Sequence, residues 1–319
     1  MKKILLLFFI LTITAVVGIP ALVNSLSPAK IKKTGTVVHM YSHNTGKIID
    51  LSVEDYVIGV VAAEMPAAFP EEALKAQAVA ARTYIMKRLA GGGVKNPIHP
   101  GADVCDDHRH YQAWISREEM KKRWGSFKHY QYYFKIARAV YSTRNQIMTY
   151  AGELVDPVYH ASCGGQGTVS AGEVWKFDVP YLKGVSCPYD ADPQPLREVV
   201  FARADFSKAM GEDINALPAA TGNKNFFEVM EQTNQGQPKT VRIGSKVLSA
   251  VVVREMLGLR SARFDMSLIG DQVKVITRGY GHGVGMCQYG AKGFAVQGKN
   301  YQEILKHYYS GIEIQSLDK

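Results

Sequence analysis

The sequence predicts an α+β fold, in which mixed helices and short antiparallel strands surround a cleft, preceded by one N-terminal transmembrane helix. Three observations lead to this fold class. Helix and strand signals are both present, they do not alternate as regularly as in a doubly wound sheet, and no internal repeat is visible. The chain has 319 residues, of which 46% are hydrophobic, so most of it can fold around a sizeable core.

The first 29 residues are strongly apolar. Lys2 and Lys3 precede a run from Ile4 to Ala29 that contains no charged residue. A run of this length can cross a bilayer as a helix, which takes roughly 20 residues. A cleaved signal peptide is the alternative, but its small-x-small cleavage pattern is weak here. We therefore predict a membrane anchor over 1–29, a basic linker over 30–33 and one exported domain over 34–319.

The N-terminal third of the domain contains a predicted hairpin followed by two helices. Strands are predicted at Thr36–Tyr41 and Lys47–Leu51, and the connection between them reads His-Asn-Thr-Gly, a turn sequence. Ser52 provides an N-cap, so the first helix starts after it and ends near Glu64. The second helix, Glu71–Leu89, is rich in alanine and ends at three consecutive glycines.

The signals are more mixed in the rest of the chain. A polar loop from His99 to Trp114 leads into a helical stretch that ends near Ser142, and Arg197–Lys239 gives no defined topology. The remaining strands are predicted at Gln146–Tyr150, Glu153–Val155, Val158–Ala161, Val241–Ile243, Phe264–Ile269 and Gln272–Thr277, and the last two helices near Cys287–Gln297 and Tyr301–Tyr309.

The chain is basic, with a formal net charge of +9 and a pI near 9.2. This charge favours an anionic partner, which can be a nucleic acid, a membrane surface or a cell wall carrying carboxylates and phosphates. Charge alone does not choose among them. Because the N-terminal segment predicts export, we expect a membrane or cell-wall partner and no nucleic acid.

Glu64 is the candidate catalytic residue. In the first predicted helix it shares one face with Val57 and Val60, so its carboxylate lies on the apolar side. Burial there would raise its pKa toward the range in which a carboxylic acid donates a proton near neutral pH. The alternative is a glutamate at a frayed helix end that turns to solvent.

Two cations follow on the second helix. Lys75 and Arg82 are seven residues apart and share one stripe, beside the apolar stripe that packs on the core. This position at the margin of the core allows them to orient a carboxylate or sugar oxygens of a substrate, or to form a solvated face. The neighbouring carboxylates fit poorly as partners of Glu64, since Asp55 lies on the opposite side of the helix, and a distant residue is left open as a second carboxylate. Without such a pair, the nucleophile must come from the substrate itself.

A run of alternating glycines lies near the C-terminus, at Gly279, Gly281, Gly283 and Gly285. The alternation removes side chains from one face of an extended segment, so another group approaches that backbone closely. Either a neighbouring element packs there, or Tyr280 and His282 face a substrate. The spacing matches no nucleotide-binding loop.

The cysteines and histidines leave two further questions open. In an exported protein the four cysteines can form disulfides, and we predict a Cys163–Cys187 pair, with buried free thiols as the alternative. The loop that contains His99, Cys105 and His110 has ligand types that suit zinc, but its spacing is not that of a zinc finger.

Four blocks of the sequence together resemble the stage II sporulation protein D family. They are Val-Val-Ala-Ala-Glu-Met-Pro at 60–66, Glu-Ala-Leu-Lys-Ala-Gln-Ala-Val-Ala-Ala-Arg-Thr-Tyr at 72–84, Tyr-His-Ala-Ser-Cys-Gly-Gly at 159–165 and Gly-Tyr-Gly-His-Gly-Val-Gly-Met-Cys-Gln at 279–288. The resemblance implies a single-pass membrane protein with its catalytic domain in the space between mother cell and forespore during engulfment. It also implies lytic transglycosylase activity on peptidoglycan glycan strands without stem peptides, alongside the stage II sporulation proteins P, an amidase, and M.

The resemblance also assigns residues. Glu64 matches the family's catalytic glutamate, and Lys75 and Arg82 match basic residues of its substrate cleft. Some members hold zinc through His, Cys and Cys at the spacing of His99, Cys105 and position 111, where this chain has Tyr111. We therefore expect no metal cofactor, with His99 and Cys105 as the candidate ligands if zinc is bound.

In the implied reaction, Glu64 protonates the oxygen that links N-acetylmuramic acid to N-acetylglucosamine. It then takes the C6 hydroxyl proton while a 1,6-anhydro ring closes. Two alternatives of other classes stay open. A glycan-binding scaffold without turnover would bind glycan without needing Glu64, and a zinc-dependent cell-wall amidase would need a metal shell with an open position.

Overall fold

The computed structural model describes residues 35–90, 99–175, 177–211 and 226–317. The predicted transmembrane helix over 1–29 and the linker over 30–33 lie outside these residues, so the anchor stays a prediction. Within the described residues, no helix has both the length and the apolar character that a membrane crossing requires.

The first described elements follow the predicted order. Strands β1 (Val37–Ser42) and β2 (Lys47–Ser52) are joined by the predicted turn. Helix α1 (Val53–Glu64) begins after Ser52, whose hydroxyl accepts a hydrogen bond from the Asp55 N–H at 3.1 Å. This N-cap satisfies an amide that the first helical turn leaves without an intrahelical partner.

Helices α2 (Glu71–Ala90) and α3 (Arg117–Ser142) pack on α1 and on each other. The buried alanines of α2 allow close approach, because a methyl group takes little space between two helices. A capping box formed by Ser116 and Glu119 starts α3. Gly125, with φ of 72°, kinks α3 and divides it into two helical segments.

The remaining elements are short, and the predicted strands are confirmed with small shifts of their ends. The strands are β3 (Val104–Cys105), β4 (Gln146–Tyr150), β5 (Glu153–Leu154), β6 (Tyr159–His160), β7 (Leu196–Ala202), β8 (Phe227–Gln232), β9 (Pro238–Ile243), β10 (Lys246–Ser249), β11 (Phe264–Ile269), β12 (Gln272–Arg278), β13 (Met286–Cys287) and β14 (Glu313–Ser316). The helices are α4 (Ala171–Val174), α5 (Arg203–Met210), α6 (Ala250–Met256), α7 (Gln288–Val296) and α8 (Tyr301–Tyr308).

The strands form small separate sheets, with orders β2-β1-β3, β14-β4-β5, β11-β12-β7, β10-β9-β8 and β13-β6. Pairs in the β4, β9 and β12 sheets are antiparallel, as predicted. Two pairs differ, since β1–β3 and β6–β13 are parallel. In the second, Met286 lies opposite Tyr159 and Cys287 opposite His160. A parallel pair joins segments that are distant in sequence, because the connection must cross over. This pair brings together the last two sequence blocks.

The buried apolar side chains form two clusters. The larger is built around α1, α2, α3 and the C-terminal helices, and the smaller includes Phe206, Val241 and Val275. The stretch Arg197–Lys239, which gave no topology from sequence, supplies most of β7, all of α5 and β8, and the start of β9. None of the β7 side chains is fully buried and the first three are exposed, so the strand has no complete buried face that would mark it in sequence.

The alternating glycines pack against the β6 segment. Gly279, Gly281, Gly283 and Gly285 all have positive φ, between 68° and 111°. A Cβ at Gly285 would lie 2.1 Å from the carbonyl oxygen of Val158, and one at Gly281 would lie 2.6 Å from His160 Cβ. The sequence allowed either close packing of a neighbouring element or a substrate-facing role for this segment. At the glycines the structure shows close packing.

Candidate active site

Glu64 is the last residue of α1, at a helix end that is well formed. The N–H of Met65 donates to the Val61 carbonyl at 3.0 Å, so the frayed-end alternative is wrong. The Ala113 N–H donates to Glu64 Oε1 at 2.8 Å. Burial raises the pKa of the Glu64 carboxyl above its usual range, while the Ala113 N–H and the side chains of Tyr159 and Gln288 oppose that shift by hydrogen bonding.

Both side chains that bond the Glu64 carboxylate lie in or directly next to the β6–β13 pair. Tyr159 is the first residue of β6, and Gln288 directly follows β13. Gln112 Nε2 donates to the Tyr159 hydroxyl at 2.8 Å, and Gln288 Nε2 donates to Gln77 Oε1 at 3.2 Å. Burial and the nearby Glu64 charge hold the pKa of Tyr159 well above its usual value, so its hydroxyl stays protonated. The parallel pairing thus positions two hydrogen-bonding groups around one carboxyl.

A cavity of about 630 Å³ opens beside Glu64. Its walls combine aromatic rings, two guanidinium groups and backbone from the end of α1. They are formed by 62–69, Arg123, Trp124, Tyr132, Ala161, 192–194, Arg260, Tyr280, Gln288 and Tyr289. The Trp124 and Tyr132 rings meet edge to face with centroids 5.5 Å apart. This volume suits a small ligand or part of a polymer chain.

The two cations predicted for the cleft do not line this cavity. Arg82 is fully buried, and its guanidinium binds both oxygens of Glu54, at 3.0 and 2.6 Å. It also donates to the carbonyl oxygens of Gln146 and Val140. Lys75 bonds Glu72 at 2.7 Å on the same helix. The predicted position of Arg82 at the margin of the core is wrong, because a buried carboxylate from α1 turns its side chain inward.

Tyr280 and His282, which alternate with the glycines, have different positions. Tyr280 is 48% exposed and lines the cavity, with the Arg260 guanidinium 4.5 Å from its ring centroid. His282 does not line it. Its Nε2–H donates to the Tyr159 carbonyl and its Nδ1 accepts from the Val284 N–H, both at 3.1 Å. Burial lowers the pKa of His282 to about 3, so the ring is neutral and holds the β6–β13 connection together.

The chain is similar in sequence to several known proteins. Stage II sporulation protein D of Bacillus subtilis (strain 168) is 36% identical over 289 residues, which cover 90% of this chain and 81% of the relative. Stage II sporulation protein D of Bacillus amyloliquefaciens matches with the same identity and coverage. The family model described as stage II sporulation protein matches residues 41–150. The chain belongs to the stage II sporulation protein D family. The family has a role in sporulation.

A more distant relative has a different name. The amidase enhancer of Bacillus subtilis (strain 168) is 28% identical over 312 residues, which cover 81% of this chain and 40% of the relative. The stage II sporulation protein D family is thus related in sequence to a larger protein that is named for its effect on an amidase.

In this stage II sporulation protein D family member, the cavity contains a carboxylate that sequence reasoning missed. Asp192 lines the cavity with Glu64, and its Oδ2 is buried without a hydrogen-bond partner among the described residues. Its Oδ1 accepts from the Gln194 N–H at 2.9 Å. Asp192 is therefore a candidate for the distant second carboxylate that the sequence left open. Asp192 lies in a Pro- and Gln-containing loop without periodicity, so no local pattern marks it.

The candidate zinc loop brings together three ligand types in this family member. The side chains of His43, His99 and Cys105 place one ligand atom each within 4.8 Å of one another. Tyr111 is not part of the group, and the Arg88 guanidinium lies 5.3 Å from its ring centroid. Three donors are one fewer than the closed shell of a structural zinc site. The sequence missed His43, which lies in the hairpin turn and reaches this loop through the β1–β3 pairing.

The predicted Cys163–Cys187 disulfide is not formed in this structure, in which the described cysteines are free thiols. Cys163 Sγ donates to Asp190 Oδ2 at 3.2 Å, while Cys187 Sγ bonds the Tyr308 hydroxyl at 3.0 Å. The alternative of buried free thiols is the one found. Cys163 and Cys187 do lie close together, as the sequence predicts. Cys287 joins them from a distant segment of the chain.

Proposed function

We propose that this protein is a peptidoglycan lytic transglycosylase that cuts glycan strands between N-acetylmuramic acid and N-acetylglucosamine. The observation that supports it best is the Glu64 carboxyl, which has a raised pKa, lies at a helix end and borders a cavity of suitable size. A raised pKa lets one carboxyl act first as an acid and then as a base near neutral pH. Family membership supports the same reaction, because Glu64 lies in a sequence block typical of the family.

In the first step, Glu64 donates its proton to the oxygen of the glycosidic bond. The bond between this oxygen and C1 of the muramic acid breaks, and the N-acetylglucosamine end leaves as an alcohol. The electron deficiency at C1 is then filled by the C6 hydroxyl oxygen of the same muramic acid, while its proton passes to the Glu64 carboxylate. The product is a 1,6-anhydro sugar, Glu64 regains its proton, and no water is consumed.

The groups around Glu64 suit both steps. Burial favours the protonated acid that starts the reaction. After the first transfer, the Ala113 N–H and the side chains of Tyr159 and Gln288 stabilise the carboxylate by hydrogen bonding. Burial thus favours the acid form and these hydrogen bonds favour the base form, and a single acid and base needs support for both forms.

The cavity walls suit a glycan that carries no stem peptide. The rings of Trp124, Tyr132 and Tyr289 offer faces on which the apolar sides of sugar rings can pack. Arg123 and Arg260 add positive charge. When the stem peptide is absent, the lactyl group of muramic acid ends in a free carboxylate. These cations therefore favour stripped strands, and they take the role that the sequence assigned to Lys75 and Arg82.

The proposed setting is the space between mother cell and forespore, with the protein held by its N-terminal segment. An amidase that removes stem peptides would supply the substrate, which is the role we propose for stage II sporulation protein P. Protein M is the proposed membrane partner. The net charge of +9 supports an anionic cell-wall partner.

A non-catalytic scaffold is the second candidate, because one relative is named an amidase enhancer. A protein of this kind would bind glycan and stimulate a separate amidase without cutting the strand. A second carboxylate in the cavity, Asp192, also leaves ordinary hydrolysis as a chemical alternative, since glycosidases commonly use two carboxyl groups.

Product analysis tests these options together. The purified full-length chain is incubated with two samples of sacculi, one with stem peptides and one stripped, and the products are identified by mass spectrometry. Products that end in 1,6-anhydro-N-acetylmuramic acid, formed faster from stripped strands and lost in Glu64→Gln, are the expected result. Products that end in reducing-end muramic acid and are lost in Asp192→Asn would show hydrolysis. Released peptides would show an amidase, and glycan binding without any product would show a scaffold.

A further inference from the structure

Three thiols and one carboxylate meet beside the cavity, outside the proposed acid/base machinery. Each of Cys163, Cys187, Asp190 and Cys287 places one ligand atom within 4.8 Å of the other three. Asp190 Oδ2 lies 3.2 Å from Cys163 Sγ and 3.5 Å from Cys287 Sγ. Of the four residues, the three cysteines are buried and Asp190 is partly buried. The group is assembled from three segments that are far apart in sequence, so tertiary structure alone creates it.

The separations match those of a tetrahedral metal shell. With Zn–S bonds of about 2.3 Å and a Zn–O bond of about 2.1 Å, neighbouring ligand atoms lie roughly 3.6 to 3.8 Å apart. The two sulfur–oxygen distances in the structure, 3.2 and 3.5 Å, are slightly shorter than this. A small outward movement of the thiols would therefore admit one ion at the centre. Thiolate and carboxylate together are a ligand set that suits zinc among the common divalent ions.

The groups around the four ligands donate hydrogen bonds to them. The N–H groups of Cys163 and Gly290 donate to Cys287 Sγ at 3.4 and 3.3 Å. Ser162 Oγ and the Gly165 N–H donate to Asp190 Oδ2, at 3.0 and 3.3 Å. Donors of this kind orient metal ligands and stabilise their anionic forms. All of these donors are neutral, so they leave the charge of Asp190 for a cation to balance.

The backbone near the cluster leaves no room for a larger residue. A Cβ at Gly290 would lie 2.3 Å from Cys187 Sγ and 2.1 Å from the Tyr308 hydroxyl. This glycine lets the first turn of α7 approach the thiols closely. An odd number of thiols also argues against disulfide pairing, because a bridge between two of them would leave the third unpaired. A single metal ion can bind all three thiolates.

We propose that Cys163, Cys187, Asp190 and Cys287 bind one zinc ion in a closed structural site. Binding displaces the thiol protons to solvent and forms three Zn–S bonds and one Zn–O bond, with no change of oxidation state. Four protein ligands leave no open position, so the ion has no direct part in catalysis. This site is separate from the His43, His99 and Cys105 group, and it departs from the expectation that the protein binds no metal.

The site would position one wall of the cavity. Cavity-lining residues lie next to the ligands in sequence: Ala161 precedes Cys163 by two positions, Asp192 follows Asp190 by two, and Gln288 follows Cys287 directly. An ion at the cluster therefore cross-links three segments of the wall. The metal proposal does not depend on the proposed reaction, because metal binding can be measured without substrate.

The test measures the metal content and the thermal midpoint of the full-length chain. The purified wild type should contain zinc, and Cys187→Ser should lose about one zinc per chain relative to it. Asp190→Asn should weaken binding less than Cys187→Ser, since it keeps three thiolates. Cys105→Ser is the matched control, because it removes a buried thiol from the other candidate group and should leave the zinc of this cluster in place. Cobalt loaded instead of zinc should show thiolate charge-transfer absorption in Cys105→Ser and not in Cys187→Ser.

Chelation gives a second readout that works even if a variant folds poorly. Removing zinc should lower the thermal midpoint of Cys105→Ser, and adding one equivalent of zinc should restore it. A wild-type chain that takes up no zinc under reducing conditions would overturn the proposal. Zinc lost in Cys105→Ser but kept in Cys187→Ser would also overturn it, as would a Cys163–Cys187 disulfide found by non-reducing peptide mapping of the native protein.

Discussion

At the scale of single residues, the chemistry centres on how the protein controls the charge of Glu64. Burial raises the pKa of this carboxyl, and hydrogen bonds from Ala113, Tyr159 and Gln288 limit the rise. The helix end is closed by the Met65 N–H, so the carboxyl is held in position. Two predictions belong to this scale.

Glu64→Gln should abolish glycan cleavage while preserving the fold and glycan binding. The amide keeps the shape of the side chain but neither donates nor accepts the working proton. Acid/base assistance is typically worth about 10² to 10⁴-fold in rate, and one group here serves both steps, so the loss should reach the upper end. Release of anhydro-muramyl products measures it. Glu153→Gln, an exposed carboxylate outside the cavity, is the control, and near-normal turnover of Glu64→Gln with a native circular dichroism spectrum would remove Glu64 from the mechanism.

Tyr159→Phe should shift the pH dependence of cleavage toward higher pH. The first step needs protonated Glu64, so the rate falls as pH rises through the raised pKa of this carboxyl. The Tyr159 hydroxyl favours the ionised carboxylate, so its removal raises the pKa further and moves this fall to higher pH. A pH–rate profile of kcat/KM on stripped strands checks the direction. Tyr130→Phe, an exposed ring outside the cavity, should leave the profile unchanged, and a shift of the Tyr159→Phe profile to lower pH would contradict the assignment.

At the scale of elements, two contacts hold the site in place. The first is the buried ion pair between Arg82 of α2 and Glu54 of α1. The second is the close approach of the glycine run to β6, in which Gly285 is pressed against the carbonyl oxygen of Val158. The ion pair joins α1, which carries Glu64, to α2. The glycine contact joins β6, which carries Tyr159, to the segment that leads into β13 and Gln288.

Arg82→Ala should cost stability rather than substrate affinity. It leaves Glu54 as a buried carboxylate without its cation, and breaking a buried ion pair typically costs about 3 to 5 kcal/mol. The free energy of unfolding in urea measures the loss. Lys75→Ala, which breaks a partly exposed pair on the same helix, should cost no more than about 1 kcal/mol. Weakened glycan binding by Arg82→Ala at unchanged stability would instead support the cleft role predicted from sequence.

Gly285→Ala should separate β13 from β6 and reduce both stability and cleavage. Its φ of 68° disfavours alanine, and the new Cβ would collide with the Val158 carbonyl oxygen. Gly298→Ala is a matched control, because Gly298 has φ of 85° but no atom within 4 Å of the new Cβ. Gly298→Ala should lower the free energy of unfolding only by the cost of placing alanine at a positive φ, roughly 1 to 2 kcal/mol. Equal thermal midpoints for the two variants would mean that the close packing contributes nothing.

At the scale of the whole molecule, the net charge of the chain affects its binding to the proposed anionic partner. The net charge of +9 belongs to all 319 residues, whereas the cavity itself contains two arginines and two carboxylates. Long-range attraction to the proposed anionic wall would therefore come from the surface as a whole. Cleavage depends on the local site, so binding and cleavage should respond differently to salt.

Raising the ionic strength from about 0.05 to 0.5 M should weaken binding of the full-length chain to sacculi. The screening length is about 10 Å at 0.1 M and 3 Å at 1 M, so surface charges lose most of their reach over this range. Co-sedimentation with sacculi measures binding. Cleavage of a short soluble glycan fragment is the comparison and should fall less. Equal losses in both assays would show that salt acts on the site itself.

The limits of sequence reasoning are clearest at Arg82 and Asp192. The sequence predicts Arg82 at the margin of the core, but its side chain is buried on Glu54, which lies 28 positions earlier on another helix. Asp192 lies in a loop without periodicity, so no spacing rule relates it to Glu64. The sequence also gives no topology over Arg197–Lys239, where strand β7 is mostly exposed and has no fully buried residue.

By itself, the sequence determined the order and type of most elements, the apolar environment of Glu64 and the family, because caps, turns and periodicity are local and the four blocks are specific. Tertiary structure decided which distant residues meet. The parallel β6–β13 pair places Tyr159 and Gln288 at Glu64 and brings Cys287 near Cys163. A third segment adds Cys187 and Asp190 to the same cluster. A parallel pair has no connecting turn to mark it, so these contacts leave no local trace in the sequence.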